Sequence, residues 1–362
     1  MSGRWTLPPL TVGELAPEFS AASRLNPKYH FSTVAGRYIL LAFMPSDPAR
    51  RQTALAAVEA IRPHLSDHFL AAFFVASRPD GPDIPADQIP GQRWLFDPGG
   101  EVARLYHLAD DEGGWFLFDP AQRLLQAAAL EAPQPLFARI AEGLPPLSAH
   151  AGTPLVAPAL VVPRVFEPEF CRRLIDIYEA RGGAPSGVMR DIGGRTVGVF
   201  DGMKSRRDVN LEEDRELSQE INRRIERTVI PMMVRAYQFR PTRIERYIVA
   251  CYDAAEGGYF RPHRDDETLG TAHRRFACSI NLNAEAFEGG DLRFPEFGPR
   301  TYRPPTGGAV VFACNLLHEA TPVTRGRRYA FLPFFYDEAG HRTREANLAF
   351  VQPASPEAAQ GG

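Results

Sequence analysis

The stretch Gly257-Gly258-Tyr259-Phe260-Arg261-Pro262-His263-Arg264-Asp265 joins a glycine turn to a short extended segment that ends in His-x-Asp. It lies in a part of the chain, from about residue 243 onward, where short apolar runs alternate with turn residues. Many short strands of this kind predict a double-stranded β-helix, or jelly roll, with its core at about residues 243–338. The predicted strands are Ile244 to Tyr252, Ala277 to Leu282, Gly290 to Phe294, Gly308 to Ala313 and Arg328 to Phe335.

Two amphipathic helices are predicted before these strands. Phe166 to Glu179 carries large apolar residues on one face and has a proline in its first turn. Asp214 to Val229 repeats apolar residues every four positions and should end before Pro231. Helices of this type pack their apolar face on a core, so the second half is predicted to be an α+β domain with helices on one side.

The first half alternates continuous apolar runs with helical stretches. Such runs are typical of strands that are buried on both faces, so we expect an α/β sheet covered by helices. The predicted elements are a strand at Tyr38 to Met44, a helix at Pro48 to Leu65, a strand at Phe69 to Ala76, a short helix at Val102 to His107, and a hairpin of Trp115 to Phe118 with Leu124 to Ala129.

A proline-rich segment separates the two halves. Residues 143–163 contain five prolines and few long polar side chains, as an interdomain connection does. A chain of 362 residues also exceeds what one hydrophobic core usually organises. We therefore predict one domain at residues 1–152 and a second at 153–362.

Three segments of the first half match a known family: Val12 to Phe19, Gly36 to Pro45 and Trp115 to Pro120. With them the chain resembles a peroxiredoxin-type thioredoxin fold over about residues 8–143, and the resemblance implies a reactive cysteine in the loop after Phe43-Met44-Pro45. That loop instead reads Ser46-Asp47-Pro48-Ala49-Arg50-Arg51. A degenerate module used for packing, dimerisation or substrate docking is therefore expected, and the choice among these is open.

Composition and charge argue against a nucleic-acid-binding or membrane-binding protein. The formal net charge is −3 and the pI is about 6.3, so no basic footprint for nucleic acid or anionic lipid is visible. No apolar stretch approaches the length of a membrane span, and we expect a cytoplasmic protein that binds neither nucleic acid nor membrane. The four cysteines are far apart and should be buried thiols.

Three residues are candidate metal ligands. His263 and Asp265 are two positions apart, so in an extended segment both side chains leave the same face, and His318 could approach from another strand. Two imidazoles and one carboxylate leave the opposite face of a metal open, which is typical of non-haem Fe(II) oxygenases. With nine histidines in the chain, about one His-x-Asp is expected by chance, so the context must support the assignment.

Arg328 supplies that context. It lies in a strand that is otherwise apolar, where an unpaired charge costs several kcal/mol. A buried guanidinium can neutralise the distal carboxylate of 2-oxoglutarate through two parallel hydrogen bonds. Arg327 is the competing assignment, but a regular strand points it to the other face. An edge-strand arginine with a solvated head is the remaining alternative.

At these residues the chain resembles the Fe(II)/2-oxoglutarate oxygenases of the prolyl 4-hydroxylase type, over about residues 160–338. The resemblance implies that His263, Asp265 and His318 bind iron. It also implies that Arg328, where many members have lysine, binds the distal carboxylate of 2-oxoglutarate, with Tyr252 and Asn281 as further co-substrate contacts. The matching segments are Val249 to Tyr252, Gly257 to Asp265, Ser279 to Asn283, Glu288 to Phe294 and His318 to Tyr329.

The implied activity is hydroxylation of a C–H bond in a peptidyl, prolyl-like substrate or in a small molecule. Fe(II) is the expected cofactor, 2-oxoglutarate and O2 are the co-substrates, and ascorbate is a further candidate; a homodimer is a candidate assembly. Two alternatives stay open, a cupin-like dioxygenase without 2-oxoglutarate and an adaptor with a vestigial iron site. His273 is expected at the surface or beside the substrate, and residues 185–210 and 266–275 are expected to be loops over the cavity.

Overall fold

The computed structural model describes residues 10–78, 84–109 and 111–351. The ends of the two predicted domains, residues 1–9 and 352–362, therefore lie outside the described residues. The chain forms two compact units. One extends to Ala157 and includes Pro295–Arg300, and the other contains Pro158–Phe294 and continues from Thr301. The boundary near residue 153 stays a prediction.

The first unit contains a seven-stranded sheet in the order β2-β1-β5-β4-β3-β6-β7. Strands β3, β4 and β5 are parallel, and the hairpin β6–β7 adds to β3 in antiparallel orientation. This βαβ unit followed by a hairpin and a helix is a thioredoxin-like arrangement. The elements are β1 (Ser20–Ser23), β2 (Tyr29–His30), β3 (Tyr38–Phe43), α1 (Pro48–Val58), β4 (Leu70–Ala76), β5 (Gln92–Phe96), α2 (Glu101–Leu105), β6 (Gly114–Phe118), β7 (Leu124–Ala129) and α3 (Gln134–Glu142).

Burial on both faces explains the continuous apolar strands of this unit. All residues of β3 and β4 are buried, and alternate side chains enter two separate core clusters. The predicted helix from Pro48 to Leu65 was too long, because α1 ends at Val58. A 3-10 turn at Arg62–His64 follows, and its Pro63 has no N–H with which to continue an α-helix.

The second unit is built on two antiparallel sheets. The larger has the order β14-β25-β17-β24-β15-β13-β9, with β21 paired to β17 and β8, and the smaller has the order β12-β16-β22-β19-β20. This is the predicted jelly-roll type of core. The strands are β8 (Leu160–Val162), β9 (Ala184–Pro185), β10 (Val188–Ile192), β11 (Arg195–Val199), β12 (Lys204–Ser205), β13 (Arg207–Asn210), β14 (Arg243–Glu245), β15 (Ile248–Asp253), β16 (Tyr259–His263), β17 (Phe276–Asn281), β18 (Glu288–Gly289), β19 (Leu292–Arg293), β20 (Thr301–Tyr302), β21 (Ala309–Ala313), β22 (His318–Ala320), β23 (Val323–Arg325), β24 (Arg327–Phe331) and β25 (Phe334–Tyr336).

Helices support the larger sheet, and a third helix follows the last strand. They are α4 (Pro168–Arg181), α5 (Arg215–Tyr237) and α6 (Glu338–Asn347). The apolar faces of α4 and α5 form one core cluster with β15, β17 and β24. The prediction that the second helix stops before Pro231 was wrong, since α5 continues through it. A proline removes one backbone hydrogen bond, and burial of Ile230 and Met233 on either side offsets that loss.

Three predicted strands are shorter or broken. Arg246 adopts a left-handed backbone conformation, with φ of 65°, between β14 and β15. Leu332 and Pro333 separate β24 from β25, because proline cannot donate to the ladder. Of the predicted strand Gly290 to Phe294, only Leu292–Arg293 is paired. The break at Arg246 affects the site described below.

Two further expectations can be compared with the structure. All four cysteines are buried and free, which confirms that prediction. In the described parts of the chain, no helix combines the length and the apolar character needed to cross a membrane.

Candidate metal centre

The two candidate histidines lie on neighbouring strands of the smaller sheet. His263 ends β16 and His318 begins β22, and the two residues are paired across the antiparallel ladder. Asp265 follows β16, and its backbone N–H donates to the carbonyl of Cys314 over 2.9 Å. The fold therefore brings together the three residues predicted as metal ligands.

Each of the three side chains offers a candidate ligand atom, and these atoms lie within 4.8 Å of one another. Asp265 Oδ1 lies 3.5 Å from His263 Nε2, and Asp265 Oδ2 lies 3.2 Å from His318 Nε2. In each histidine Nδ1 lies close to a backbone carbonyl, that of Arg261 at 2.7 Å or that of Leu316 at 2.9 Å. These contacts assign the ring proton to Nδ1 and leave the Nε2 lone pair facing the common point. Metal-binding histidines are oriented in this way.

The electrostatics of the group also fit a divalent metal. Burial and the neighbouring His318 lower the pKa of His263 to about 4, so its imidazole is neutral at pH 7. Burial alone would raise the pKa of Asp265, but the two imidazoles and their hydrogen bonds hold it well below its usual range. Two imidazole nitrogens and one carboxylate match the ligand set of a non-haem Fe(II) centre with open positions.

Aromatic side chains hold the histidines beside a small cavity. Residues of both sheets line this cavity, which has a volume of about 60 Å³. The ring of Phe260 stacks on His263 with centroids 3.4 Å apart, and the ring of Phe312 lies 4.6 Å from His318. These contacts restrict ring rotation and cover one side of the candidate ligands with apolar surface.

Arg328 enters the same cavity from the larger sheet. It is 3% exposed and lies directly opposite Tyr252 in the β15–β24 ladder. One guanidinium nitrogen donates to Ser279 Oγ over 2.9 Å, whereas the buried Nε finds no hydrogen-bond partner among the residues that the structure describes. Burial lowers the pKa of Arg328. Arg327 points outward and donates to Asp253 over 2.7 Å, so Arg328 is the arginine that faces the candidate metal ligands.

The two other predicted co-substrate contacts differ in position. The ring of Tyr252 lies 5.1 Å from the Arg328 guanidinium, and its hydroxyl accepts a hydrogen bond from Arg206 over 3.3 Å. Asn281 is buried, but its amide donates to the carbonyl of Pro304 over 2.8 Å. Among the described residues that line the cavity, Tyr252 is present and Asn281 is not.

Comparisons with known proteins agree with this geometry. No protein-family model matches the chain. A PKHD-type hydroxylase from Synechococcus sp. is 30% identical over 118 residues, which cover 30% of this chain and 52% of that protein. Over part of its length the chain is similar to PKHD-type hydroxylases. This similarity confirms the predicted resemblance to prolyl 4-hydroxylase-type oxygenases, although the chain spans about half the length of the curated relatives it matches.

Two solved structures are similar to portions of this chain at low identity. One is a viral collagen prolyl hydroxylase from Paramecium bursaria chlorella virus-1 in a 2OG complex, with 17% identity and a TM-score of 0.38 over 49% of this chain and 96% of that chain. Another is a thiol:disulfide interchange protein DsbE from Chlorobium tepidum, with 20% identity and a TM-score of 0.28 over 37% of this chain and 99% of that chain.

His273 is buried, so the expectation that it lies at the surface was wrong, whereas a position beside the substrate stays a prediction. It is 3% exposed, and its Nε2 lies 2.6 Å from Glu245, which also accepts a hydrogen bond from Arg274 over 2.6 Å. Burial alone would raise the pKa of Glu245, but Arg274 and His273 lower it to about 2. This network fixes the segment that follows Asp265 to β14.

Sequence reasoning missed three cationic residues near the candidate ligands. Residues 204–210 were expected to be part of a loop, but β12 pairs with β16 and β13 pairs with β15. These pairings bring Lys204 and Arg206 next to the centre, and Arg246 lines the same cavity from the turn before β15. A polar run such as Lys204-Ser205-Arg206-Arg207-Asp208 has no strand signal, so only the fold identifies it.

Proposed function

We propose that this protein is an Fe(II)- and 2-oxoglutarate-dependent dioxygenase. It hydroxylates a C–H bond of a peptidyl, prolyl-like or small-molecule substrate and converts 2-oxoglutarate to succinate and CO2. The observation that carries the proposal is the shared cavity of His263, Asp265 and His318 with the buried Arg328. A metal-ligand triad alone suits several chemistries, whereas a buried guanidinium beside it calls for an anionic co-substrate.

Each residue of the proposed site has a defined task. His263 and His318 bind Fe(II) through Nε2 while their Nδ1 protons stay on backbone carbonyls, and Asp265 contributes the charged ligand. Fe(II) together with 2-oxoglutarate supplies the activation of O2. Arg328 pairs with the distal carboxylate of 2-oxoglutarate, and Tyr252 lies beside it as a hydroxyl partner.

Apolar side chains complete the proposed site. Phe260 and Phe312 cover the imidazole rings and lower the local water content. In a dry cavity the attraction between Arg328 and a carboxylate is stronger than in water. Exclusion of water also protects reactive species from side reactions.

The test measures succinate formation by the purified full chain supplied with Fe(II), 2-oxoglutarate and O2. Under nitrogen, the same mixture without O2 should show the visible charge-transfer absorption of Fe(II)-bound 2-oxoglutarate. Asp265→Ala should lose both signals, and Asp266→Ala is the matched control on the adjacent carboxylate. If the parent protein shows neither absorption nor succinate, the adaptor with a vestigial iron site becomes the better account.

For the thioredoxin-like unit we propose a role in packing, dimerisation or substrate docking without redox chemistry. The supporting observation is Ser46, which follows Phe43-Met44-Pro45 and whose backbone N–H donates to the carboxylate of Asp111. A serine hydroxyl cannot replace a thiolate as the nucleophile toward peroxide. Peroxide consumption by the purified chain at a thiol-peroxidase rate would contradict this assignment.

A further inference from the structure

The cavity beside the candidate metal ligands contains more cationic side chains than the proposed function uses. Arg206, Arg246 and Arg328 all line it. Arg206 and Arg246 share one carboxylate, Asp208, whose Oδ2 lies 2.7 Å from the first guanidinium and 3.5 Å from the second. Arg328 is assigned to 2-oxoglutarate, which leaves one carboxylate for two guanidinium groups.

Arg246 has a conformation that directs it to this cavity. Its φ of 65° is rare for a residue with a side chain, and it occurs where the predicted continuous strand breaks between β14 and β15. The adjacent carboxylate, Glu245, is already bonded to His273 and Arg274. Arg246 packs over the ring of Phe334, with its guanidinium carbon 5.6 Å from the ring centroid, and its side chain is 31% exposed.

Lys204 adds a third basic group next to the first two, but burial and the neighbouring Arg206 lower its pKa to about 6, so the two guanidinium groups carry the positive charge at pH 7. Its ammonium lies 5.0 Å from the centroid of Phe260, the ring that stacks on His263. It donates to Ser186 Oγ over 3.0 Å and to a backbone carbonyl, both of which are uncharged acceptors. A second pocket of about 200 Å³ is lined by Lys204 and by Arg206, which also lines the first cavity.

Charge balance indicates what this wall of Lys204, Arg206 and Arg246 binds. In the proposed complex, Fe(II) and Arg328 together carry three positive charges, which Asp265 and the 2-oxoglutarate dianion neutralise. The wall then keeps a net positive charge, because among the described residues one carboxylate, Asp208, forms ion pairs with both Arg206 and Arg246. Partly buried positive charge that is incompletely balanced is costly, so a bound anion would stabilise this arrangement.

We infer that the wall of Lys204, Arg206 and Arg246 recognises a free carboxylate on the primary substrate. This inference rests on the proposed function. The substrate class is then a carboxylic acid, either a free amino acid or the C-terminal residue of a short peptide, and not an internal, uncharged prolyl segment. Arg246 is the specificity-determining residue, because its guanidinium is the one held less closely by Asp208.

The test compares matched pairs of probes that differ in one charge. The full chain is loaded with Fe(II) and saturating 2-oxoglutarate under nitrogen, and binding is measured by isothermal titration calorimetry. The probes are the common amino acids with their carboxamides, dipeptides ending in proline with free or amidated C termini, and one internal prolyl peptide blocked at both ends. At least one acid should bind about tenfold or more tightly than its amide. The amino-acid and dipeptide arms distinguish the two sources of the carboxylate.

Two variants of Arg246 test whether the preference for the acid over the amide depends on the wall. Arg246→Gln should remove the difference between acid and amide, and Arg246→Lys should restore part of it. Arg243→Gln is the matched control, since Arg243 lies three residues earlier, on β14, and pairs with the exposed Glu338. Equal binding of acid and amide in every pair, or a preference that survives in Arg246→Gln, overturns the inference. If the parent protein with Fe(II) and 2-oxoglutarate shows no charge-transfer absorption, the proposed function itself fails.

Discussion

Replacement of Arg328 by methionine tests the central assignment in two opposite directions. Arg328 is buried, with one guanidinium hydrogen bond to Ser279 and an Nε that has no partner among the described residues. Replacing a buried charge by an apolar side chain is neutral or stabilises the fold by about 1–4 kcal/mol. Loss of the hydrogen bond to Ser279 destabilises it by about 1 kcal/mol. Each kcal/mol moves the thermal midpoint of a domain of this size by about 2–4 °C. Without 2-oxoglutarate, Arg328→Met should therefore melt between about 4 °C below and about 12 °C above the parent protein.

Affinity for 2-oxoglutarate should change in the opposite sense. A guanidinium that holds a carboxylate by two charge-assisted hydrogen bonds contributes roughly 1.5–3 kcal/mol for each bond. Losing both raises the dissociation constant about 10²- to 10⁴-fold. Arg328→Lys keeps the charge without the paired geometry and should fall between the two proteins.

The assay is a titration of 2-oxoglutarate into the Fe(II) protein under nitrogen, with thermal unfolding recorded on the same samples. Arg327→Met is the matched control, because that adjacent side chain is 54% exposed and pairs with Asp253 outside the cavity. It should leave the dissociation constant for 2-oxoglutarate within about threefold of the parent value, as expected for a surface ion pair. If Arg328→Met binds 2-oxoglutarate as tightly as the parent protein, the assignment is refuted.

Three other predictions follow from the geometry. Asp265→Ala should lower the affinity for Fe(II) at least about a hundredfold, measured by metal analysis after dialysis, and equal loss in Asp266→Ala would contradict the ligand assignment. Glu245 has its pKa lowered from 4.5 to about 2, so the ionised carboxylate stabilises the fold above its unfolded pKa and this stability is lost as pH falls toward 2. Glu245→Gln should thus cost roughly 3 kcal/mol in urea unfolding at pH 7, and a cost that stays constant down to pH 3 would argue against it. Phe74→Ala, which opens a cavity at a fully buried position, should destabilise the thioredoxin-like unit by about 3–5 kcal/mol in the same assay, and a cost under about 1 kcal/mol would contradict its core position.

The spacing of apolar residues predicted those strands and helices whose sequence pattern matches their burial in the fold. Strands β3 and β4 are apolar at every position because helices and loops cover both faces of their sheet, and this pattern is visible in the sequence. The convergence of His263, Asp265 and His318 was also predictable. Side chains two residues apart on an extended segment leave the same face, which places His263 beside Asp265, and a predicted strand precedes His318.

Long-range packing decided what the sequence did not predict. Pro231 lies inside α5 because the buried residues around it outweigh one missing hydrogen bond. His273 resembles a surface histidine in its basic segment, but Glu245 is 28 positions away in the chain and reaches it only in the folded sheet. The left-handed turn at Arg246 has no glycine or asparagine to announce it, so its cationic side chain was not associated with the cavity.

The turn before β24 limits how the chain can change in length. Gly326 has a φ of 75°, and a Cβ atom there would lie 2.6 Å from the carbonyl oxygen of Ala286. Because alternate residues of a strand face opposite sides, insertion of one residue between Gly326 and β24 would exchange the positions of Arg327 and Arg328. Such an insertion would turn Arg328, the proposed co-substrate arginine, outward, so homologues that keep the proposed chemistry should vary in loop length elsewhere and conserve the spacing between Gly326 and Arg328.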